Sequence, residues 1–458
     1  MLTRRRFVGY SAMSSSMLAF PSLLRSGFGQ TPPGSAQRPL RLAVIGSTYR
    51  RGSNMQTIAD RFLIGYPFEG DWHMPNVQVV SMYVDEQSRR AAVAPTEFDH
   101  AETGSARRGS AESGPASDLS TARSKQFGFR LCRNIPEALR CGTDRIAVDA
   151  VLAIVEQCDD LPYPSNSKGQ VLLPRYDFFQ QCVQTFEAEK HSVPYFNHKQ
   201  LSFSFAEAQS MVKSAERLKF PLMAGSSMAV TWRLPDIDIP LGTPVQEAVM
   251  VGVGGFDEMD FDALEATQCM LERRKGGETG VKAVQLLEGD DVWIAQNEGR
   301  WSKDLLSSAL SRSDTPLGLT VLDGRNQDLV SSGVLPQLVK DPAAYCIEYV
   351  DGTRATLLIL NGAIKDFNIA ARLGGEDVVS TQFFMPPAPS ETYSACLAAK
   401  IDQMYQSRNL PYPAERTLLT TGVLEACLNS RHRQSQRLET PNLALTYKSP
   451  ADSQYIRT

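Results

Sequence analysis

The chain has 458 residues, 42% hydrophobic and 21% charged, with a formal net charge of −4 and a pI near 5.9. That is enough apolar material for a sizeable core and for two or three domains, so the chain is globular. The acidic balance, with no basic run beyond the N-terminus, argues against a nucleic-acid-binding surface.

The first residues read as an address. Thr3-Arg4-Arg5-Arg6-Phe7-Val8 has the twin-arginine arrangement, and a weakly apolar stretch follows over 8–24, broken by Ser14 to Ser16 and by Pro21. It predicts delivery of the folded chain to the twin-arginine export machinery and hence to the periplasm. A disordered basic tail is the other reading of these residues. The stretch is too short and polar to favour a permanent membrane span. The eight cysteines (Cys132, Cys141, Cys158, Cys182, Cys269, Cys346, Cys396, Cys427) are scattered, without a CxxC or a Cys/His cluster. They predict buried single thiols, and a zinc site has little support.

After a Pro/Gly/Gln linker, Leu40-Arg-Leu-Ala-Val-Ile-Gly46 predicts a buried strand, residues 47–52 a turn, and the residues to about 63 a helix. A second strand over 77–84 is closed by Asp85-Glu86, placing an acid where a dinucleotide fold holds a ribose. Residues 101–125, rich in Ser, Ala, Gly and Arg, read as a disordered surface insertion. The alternation then resumes, with strands near 129–132, 146–155, 193–198 and 221–224 and helices over 135–140, 176–190 and 204–218. Strand and helix in turn predict right-handed crossovers and a parallel sheet, doubly wound.

Beyond 230 the pattern changes to longer, more alternating strands, 245–253 and 281–287, around a helix over 257–273. Asp351-Gly352 between apolar runs is a hairpin signal. Strands over 364–371 and 378–384 and helices over 391–408 and 413–431 complete the chain. The expected organisation is a signal and linker over 1–37, a Rossmann-like domain over 38–230, and an α+β domain over 231–458 whose sheet is mainly antiparallel. A cleft between two such domains is the default place for a site.

The segment Val193-Pro-Tyr-Phe-Asn-His-Lys-Gln-Leu-Ser202, followed by Phe205-Ala-Glu-Ala208, together with the opening strand and turn and Asp85, resembles the Gfo/Idh/MocA superfamily of glucose-fructose oxidoreductase and inositol dehydrogenase type. The resemblance extends from about residue 38 to the end and is closest to a divergent, exported bacterial branch. It implies a Rossmann domain for NAD or NADP. It also implies an open-faced antiparallel sheet that helps bind a sugar or cyclitol and often forms a homo-oligomer interface.

The resemblance places Lys199 on the lysine of the family's Glu-Lys-Pro motif, near the nicotinamide and the reacting hydroxyl, where a lysine can exchange the alcohol proton. His198 stands in place of the motif's Glu and Gln200 in place of its Pro. His198 and Lys199 also suit an ordinary polar strand end. At the phosphate turn Gly46 fits the first glycine, whereas Thr48 and Arg51 stand at the second and third. Ser47, Thr48, Tyr49 and Arg50 become the candidate contacts to the phosphates, with the helix N-terminus behind them. Asp85 favours NAD over NADP, because a carboxylate accepts from a ribose hydroxyl and repels a 2′-phosphate; a plain turn acid would look the same.

Glu156, where the family has a Pro-Asn stretch, becomes a cofactor-edge or substrate residue, and Asp159 and Asp160 suit a loop cap. Glu258 and Asp262 fall on the family's Asp-x-x-x-His pair and share one helix face, either lining the cleft or simply complementing the helix dipole. Trp232 and Arg233 suit a carbohydrate face or an acid group; packing accounts equally well for Trp232. Three functions remain open. One is an exported oxidoreductase acting on a sugar, sugar acid or cyclitol. Another is glycoside cleavage through transient oxidation by held NAD, in which Glu258 and Asp262 matter more. The last is a non-catalytic carbohydrate- or partner-binding protein on a degenerate Rossmann scaffold.

Overall fold

The computed structural model describes residues 38–86, 118–157, 161–257, 259–316, 328–375, 377–386 and 392–457. The signal and linker over 1–37, Cys158, Asp159, Asp160 and Glu258 lie outside them. In chain order the first half runs β1 (Leu40–Gly46), α1 (Asn54–Ile64), β2 (Tyr66–Phe68), β3 (Asp71–His73), β4 (Val77–Val84), α2 (Ser120–Phe127), β5 (Arg130–Cys132), α3 (Ile135–Arg140), β6 (Ala150–Ile154), α4 (Arg175–Glu189), β7 (Tyr195–His198), α5 (Phe205–Leu218) and β8 (Leu222–Gly225).

β5, β4, β1, β6, β7 and β8 lie side by side in that order, all parallel. This is the doubly wound arrangement in which the strand order reverses at the first strand, and ligands meet such a sheet at the carboxyl ends beside that reversal. Here the reversal puts Gly46 of β1 against Ile154 of β6 in register. The strands are apolar on both faces, as a sheet covered on both sides requires.

The second half runs β9 (Arg233–Leu234), β10 (Val245–Gly252), α6 (Met259–Leu271), β11 (Val281–Glu288), α7 (Asp290–Asn297), α8 (Lys303–Leu310), α9 (Leu335–Leu338), β12 (Ala343–Tyr349), β13 (Arg354–Ile359), β14 (Phe367–Leu373), β15 (Val378–Phe383), α10 (Tyr393–Ser407), α11 (Ala414–His432) and β16 (Leu438–Glu439). Eight strands form one sheet in the order β16, β11, β12, β13, β10, β14, β15, β9, antiparallel except for the β10 and β13 pair. Alternation sorts its residues. Ala248 and Met250 pack with Leu264 and Leu424 from α6 and α11, while Val249 and Val251 pack with Trp301, Leu305 and Leu306 at α8.

α7 and α8 pack on the side of the second sheet away from α6. Two features differ from the sequence reading. α10 crosses the expected boundary at 230. Its Leu397, Ile401 and Tyr405 join Leu42, Val44 and Ile58 in a core on the first sheet, and Tyr405 donates to the Val151 carbonyl at 2.7 Å. Residues 39–458 accordingly form one compact unit. Finally, 101–117 lies outside the described residues, but the end of the segment read as disordered is helical. Arg123 of α2 pairs with Asp60 of α1 at 2.7 Å, and Gly128 ends the helix at φ 77°.

Seven cysteines are described; all are free thiols and five are buried, because each sits on an apolar strand or helix face. Among the described residues no helix is long and apolar enough to cross a membrane.

Candidate active site

The turn after β1 brings its backbone close to its neighbours. A Cβ on Gly46 would stand 2.3 Å from Met55 Sδ and 2.9 Å from the Ile154 carbonyl oxygen. Met55 can move but the β6 backbone cannot, so Gly46→Ala is expected to cost about 1–3 kcal/mol. Urea unfolding checks this, and a loss below about 0.5 kcal/mol would show that the strands part easily.

The donors of the turn are engaged within the chain. Ser47 Oγ donates to the Glu156 carbonyl at 2.7 Å and accepts from the Glu156 amide at 2.8 Å. Thr48 Oγ1 donates to Glu86 Oε2 at 2.6 Å, and the Arg50 guanidinium forms an ion pair with the same carboxylate. Tyr49 points into the core and donates to Asp60. Arg51 is exposed. Asp85 accepts from Tyr83 at 2.7 Å and from Tyr163 at 2.6 Å.

The Glu156 side chain crosses the strand-order reversal to the N-terminus of α1. Its carboxylate accepts from Asn54 N at 2.9 Å, Asn54 Nδ2 at 3.0 Å and Met55 N at 3.0 Å. Ser53 Oγ caps Gln56 N at 3.1 Å, and Thr57 N reaches the Ser53 carbonyl at 2.9 Å. Every amide of that first turn therefore has an acceptor.

At the carboxyl end of β7, Lys199 stands at φ 63° and its amide donates to the Gly225 carbonyl at 2.9 Å. This left-handed residue turns the chain out of the sheet, aided by the Asn197 side chain, which donates to the Gln200 carbonyl at 2.9 Å. Gln200, which replaces the motif's proline, instead donates through Nε2 to the Asp257 carbonyl at 3.0 Å, fastening the turn to the start of α6. Lys199 Nζ meets Asp262 Oδ2 at 3.2 Å, with both side chains about nine-tenths buried. His198 is buried, its Nδ1 has no hydrogen-bond partner among the described residues, and its pKa is pushed well below the usual range by burial, then by Lys199 and Arg175. It is therefore a neutral imidazole at physiological pH.

These groups border a cavity of about 90 Å³ between the two sheets, whose lining includes Asn54, Thr57, His198, Lys199, Ser226 and Asp262. It joins the α1 terminus to the lysine. Of the residues singled out from sequence, the structure gathers Lys199, His198 and Asp262 here, with Glu156 bonded to the lining residue Asn54. Trp232 and Arg233 lie elsewhere. Trp232 lines a separate cavity beside Phe68 and Cys396. The Arg233 guanidinium stacks 3.8 Å from the Tyr455 ring centre and pairs with Asp238 at 2.7 Å, as a buried anchor for the C-terminal tail. That position corrects the expected substrate contact. Ser226 and the carboxylate below it, Glu265, were not anticipated.

Glu265 Oε2 accepts from Ser226 N at 2.6 Å and Oε1 from Thr417 Oγ1 at 3.0 Å. Burial raises its pKa from 4.5 to about 7, and Asp260 is likewise raised to about 7. Between pH 4.5 and 7 the folded chain thus holds protons that the unfolded chain releases, so stability falls as pH rises through that window. Glu265→Gln is expected to reduce the slope by roughly 1 kcal/mol per pH unit, leaving the part due to Asp260. Urea midpoints between pH 4.5 and 7 test this; parallel wild-type and variant curves would refute it.

No protein-family model matches the sequence, and no curated protein matches it either. Solved structures do match in fold. GenD2 from gentamicin A biosynthesis, determined with NAD, aligns over 90% of this chain and 99% of its own at 14% identity and a TM-score of 0.51. A myo-inositol dehydrogenase from Lactobacillus casei, determined with NAD(H) and myo-inositol, aligns over 91% and 99% at 10% identity and a TM-score of 0.50. The chain shares the fold of these two structures. Both halves of the resemblance noted in the sequence, the doubly wound sheet and the large mixed sheet after it, are therefore present.

Proposed function

We propose that this protein is a nicotinamide-dependent oxidoreductase acting on a hydroxyl or carbonyl of a sugar, sugar acid or cyclitol. The observation that carries the reading is the buried Lys199 and Asp262 pair at the carboxyl end of β7, beside the cavity that reaches α1. Solved structures of the same fold hold NAD and, in one case, myo-inositol. The site is also shaped for an anion at the α1 terminus, because the Glu156 carboxylate already serves as one there.

With Glu156 turned aside, Asn54 N and Met55 N would hold the pyrophosphate and Asp85 a ribose hydroxyl, which favours NAD over NADP. A bound nicotinamide supplies hydride transfer. The chain's own part is the proton. Lys199 Nζ gives it to, or takes it from, the reacting oxygen, and Asp262 holds the lysine in place. His198, neutral and with no partner at Nδ1 among the described residues, leaves a ring nitrogen to hydrogen-bond a neighbouring hydroxyl. Residues 1–37 are proposed to direct the folded chain to twin-arginine export and the periplasm; a reporter that stays cytoplasmic when fused to them would overturn this.

The test is to identify nucleotide released from the denatured chain by mass spectrometry, then to follow reduction of added NAD⁺ across a panel of sugars, sugar acids and cyclitols. NADH formation with any of them supports the reading. Absence of bound nucleotide, of NAD(P) binding at millimolar concentration and of turnover overturns it. The second reading, a scaffold without catalysis, is favoured by one observation: the first turn of α1 is already satisfied by the chain itself.

A further inference from the structure

In a doubly wound fold the pyrophosphate rests on the N-terminus of the first helix, held by backbone N–H groups and the helix dipole. In this chain those groups have an anion already. Glu156 leaves β6 across the sheet from Gly46, is 9% exposed, and takes Asn54 N, Met55 N and Asn54 Nδ2 at 2.9 to 3.0 Å. A second carboxylate closes the adjacent turn. Glu86, 3% exposed, holds Thr48 at 2.6 Å and Arg50 in an ion pair, and its amide donates to the Ser47 carbonyl at 2.8 Å. The side chains that the sequence offers to a phosphate are thereby folded back onto the protein.

We infer that Glu156 is a built-in anion occupying the pyrophosphate position, so that a dinucleotide binds only by displacing it. Two anions cannot share the same two amides, and a diphosphate brought beside the remaining carboxylate is repelled in a site shielded from water. The inference rests on the position of Glu156 at α1 and not on the enzyme reading. It concerns affinity alone. It also differs from a mere glycine deficiency: Thr48 and Arg51 would hinder approach passively, whereas Glu156 competes for the donors.

The test is equilibrium binding of NAD⁺ to the full chain and to its Glu156→Gln and Glu156→Ala variants by titration calorimetry. Gln keeps one acceptor, for either the Asn54 or the Met55 amide, but loses the charge, so α1 stays partly capped. Ala empties the position. Glu86 is unchanged throughout and drops out of the comparison. Thermal unfolding confirms that each variant is folded.

Glu156→Gln is expected to bind NAD⁺ at least about tenfold more tightly than the wild type, on the scale that like-charge contacts cost in buried sites. Glu156→Ala should gain at least as much. If wild type and both variants bind equally, the inference falls while the oxidoreductase reading stands. If only the variants bind, the inference stands and the wild-type chain is a scaffold with a closed site. If none binds at millimolar concentration, Glu156 is not the barrier and both fall.

Discussion

Arg416→Met is expected to lower folding stability by about 3–5 kcal/mol, the range found when one partner of a buried ion pair is removed. Arg416 on α11 grips Glu272, one residue beyond α6, through two parallel bonds, Nε to Oε2 at 2.8 Å and Nη2 to Oε1 at 2.6 Å. The two side chains are 2% and 1% exposed. The guanidinium also stacks 4.3 Å from the Tyr412 ring centre, and Tyr447 donates to the same carboxylate at 2.9 Å. Methionine fills the volume but leaves Glu272 charged, buried and short of its main partner. Adding Glu272→Gln should restore part of the loss, because the uncompensated charge, and not the lost contact, carries most of the cost. Urea unfolding of the two single variants and the double variant gives the cycle. A loss under about 1 kcal/mol for Arg416→Met would mean that water reaches this pair and screens it.

What the sequence made legible follows from range. The strand over 77–84, the helix over 135–140 and the hairpin at Asp351-Gly352 lie where the pattern predicts, since each is decided by residues a few positions apart. Gly352 takes φ 90° in that turn, a conformation that favours glycine. The hairpin of β2 and β3 was missed because three-residue strands are too short to show a period. α2 was missed because only Leu119 and Phe127 mark an apolar side in a stretch of small and polar residues. The cover formed by α7 and α8 did carry a signal, Val292, Trp301, Leu305, Leu306 and Ala309, but nothing local says which face of which sheet it meets.

The site divides in the same way. Lys199 stood out because the end of a parallel strand is where such a sheet meets its ligand. Its partner Asp262 lay on a helix face that could be drawn from spacing, yet the ion pair joins residues 63 positions apart. Glu156 was legible as a residue near the cofactor edge, but not its direction. A carboxylate two residues past a strand can face a ligand or cap a helix, and only the packing of α1 against β6 decides, 102 positions away in sequence. Asp85 and Glu86 show the same limit. The first, proposed to meet a ribose, also accepts from two tyrosines that its position in the sequence does not reveal; the second, its neighbour, holds Thr48 and Arg50.

Lys199→Ala is expected to lower turnover on the responsive substrate about 10²- to 10⁴-fold, the range for losing a positioned proton carrier. Lys199→Arg is the sharper test. Arginine keeps a positive charge for Asp262 and tolerates the same burial, but it does not release its proton at any pH the fold survives. If Lys199 moves a proton, Arg must be nearly as inactive as Ala while retaining more of the wild-type stability. If Lys199 serves only to balance Asp262 or to orient the substrate, Arg should recover most of the activity. Backbone strain does not confuse the comparison, because residue 199 sits at φ 63° and Lys, Arg and Ala, none of them β-branched, pay a similar cost there. Binding of NAD⁺ should change far less than turnover in both variants, since the α1 amides, and not the lysine, hold the pyrophosphate in this reading. Steady-state rates and calorimetric binding on the same preparations separate a lost proton from a lost cofactor, and an active Lys199→Arg protein would remove Lys199 from the chemistry.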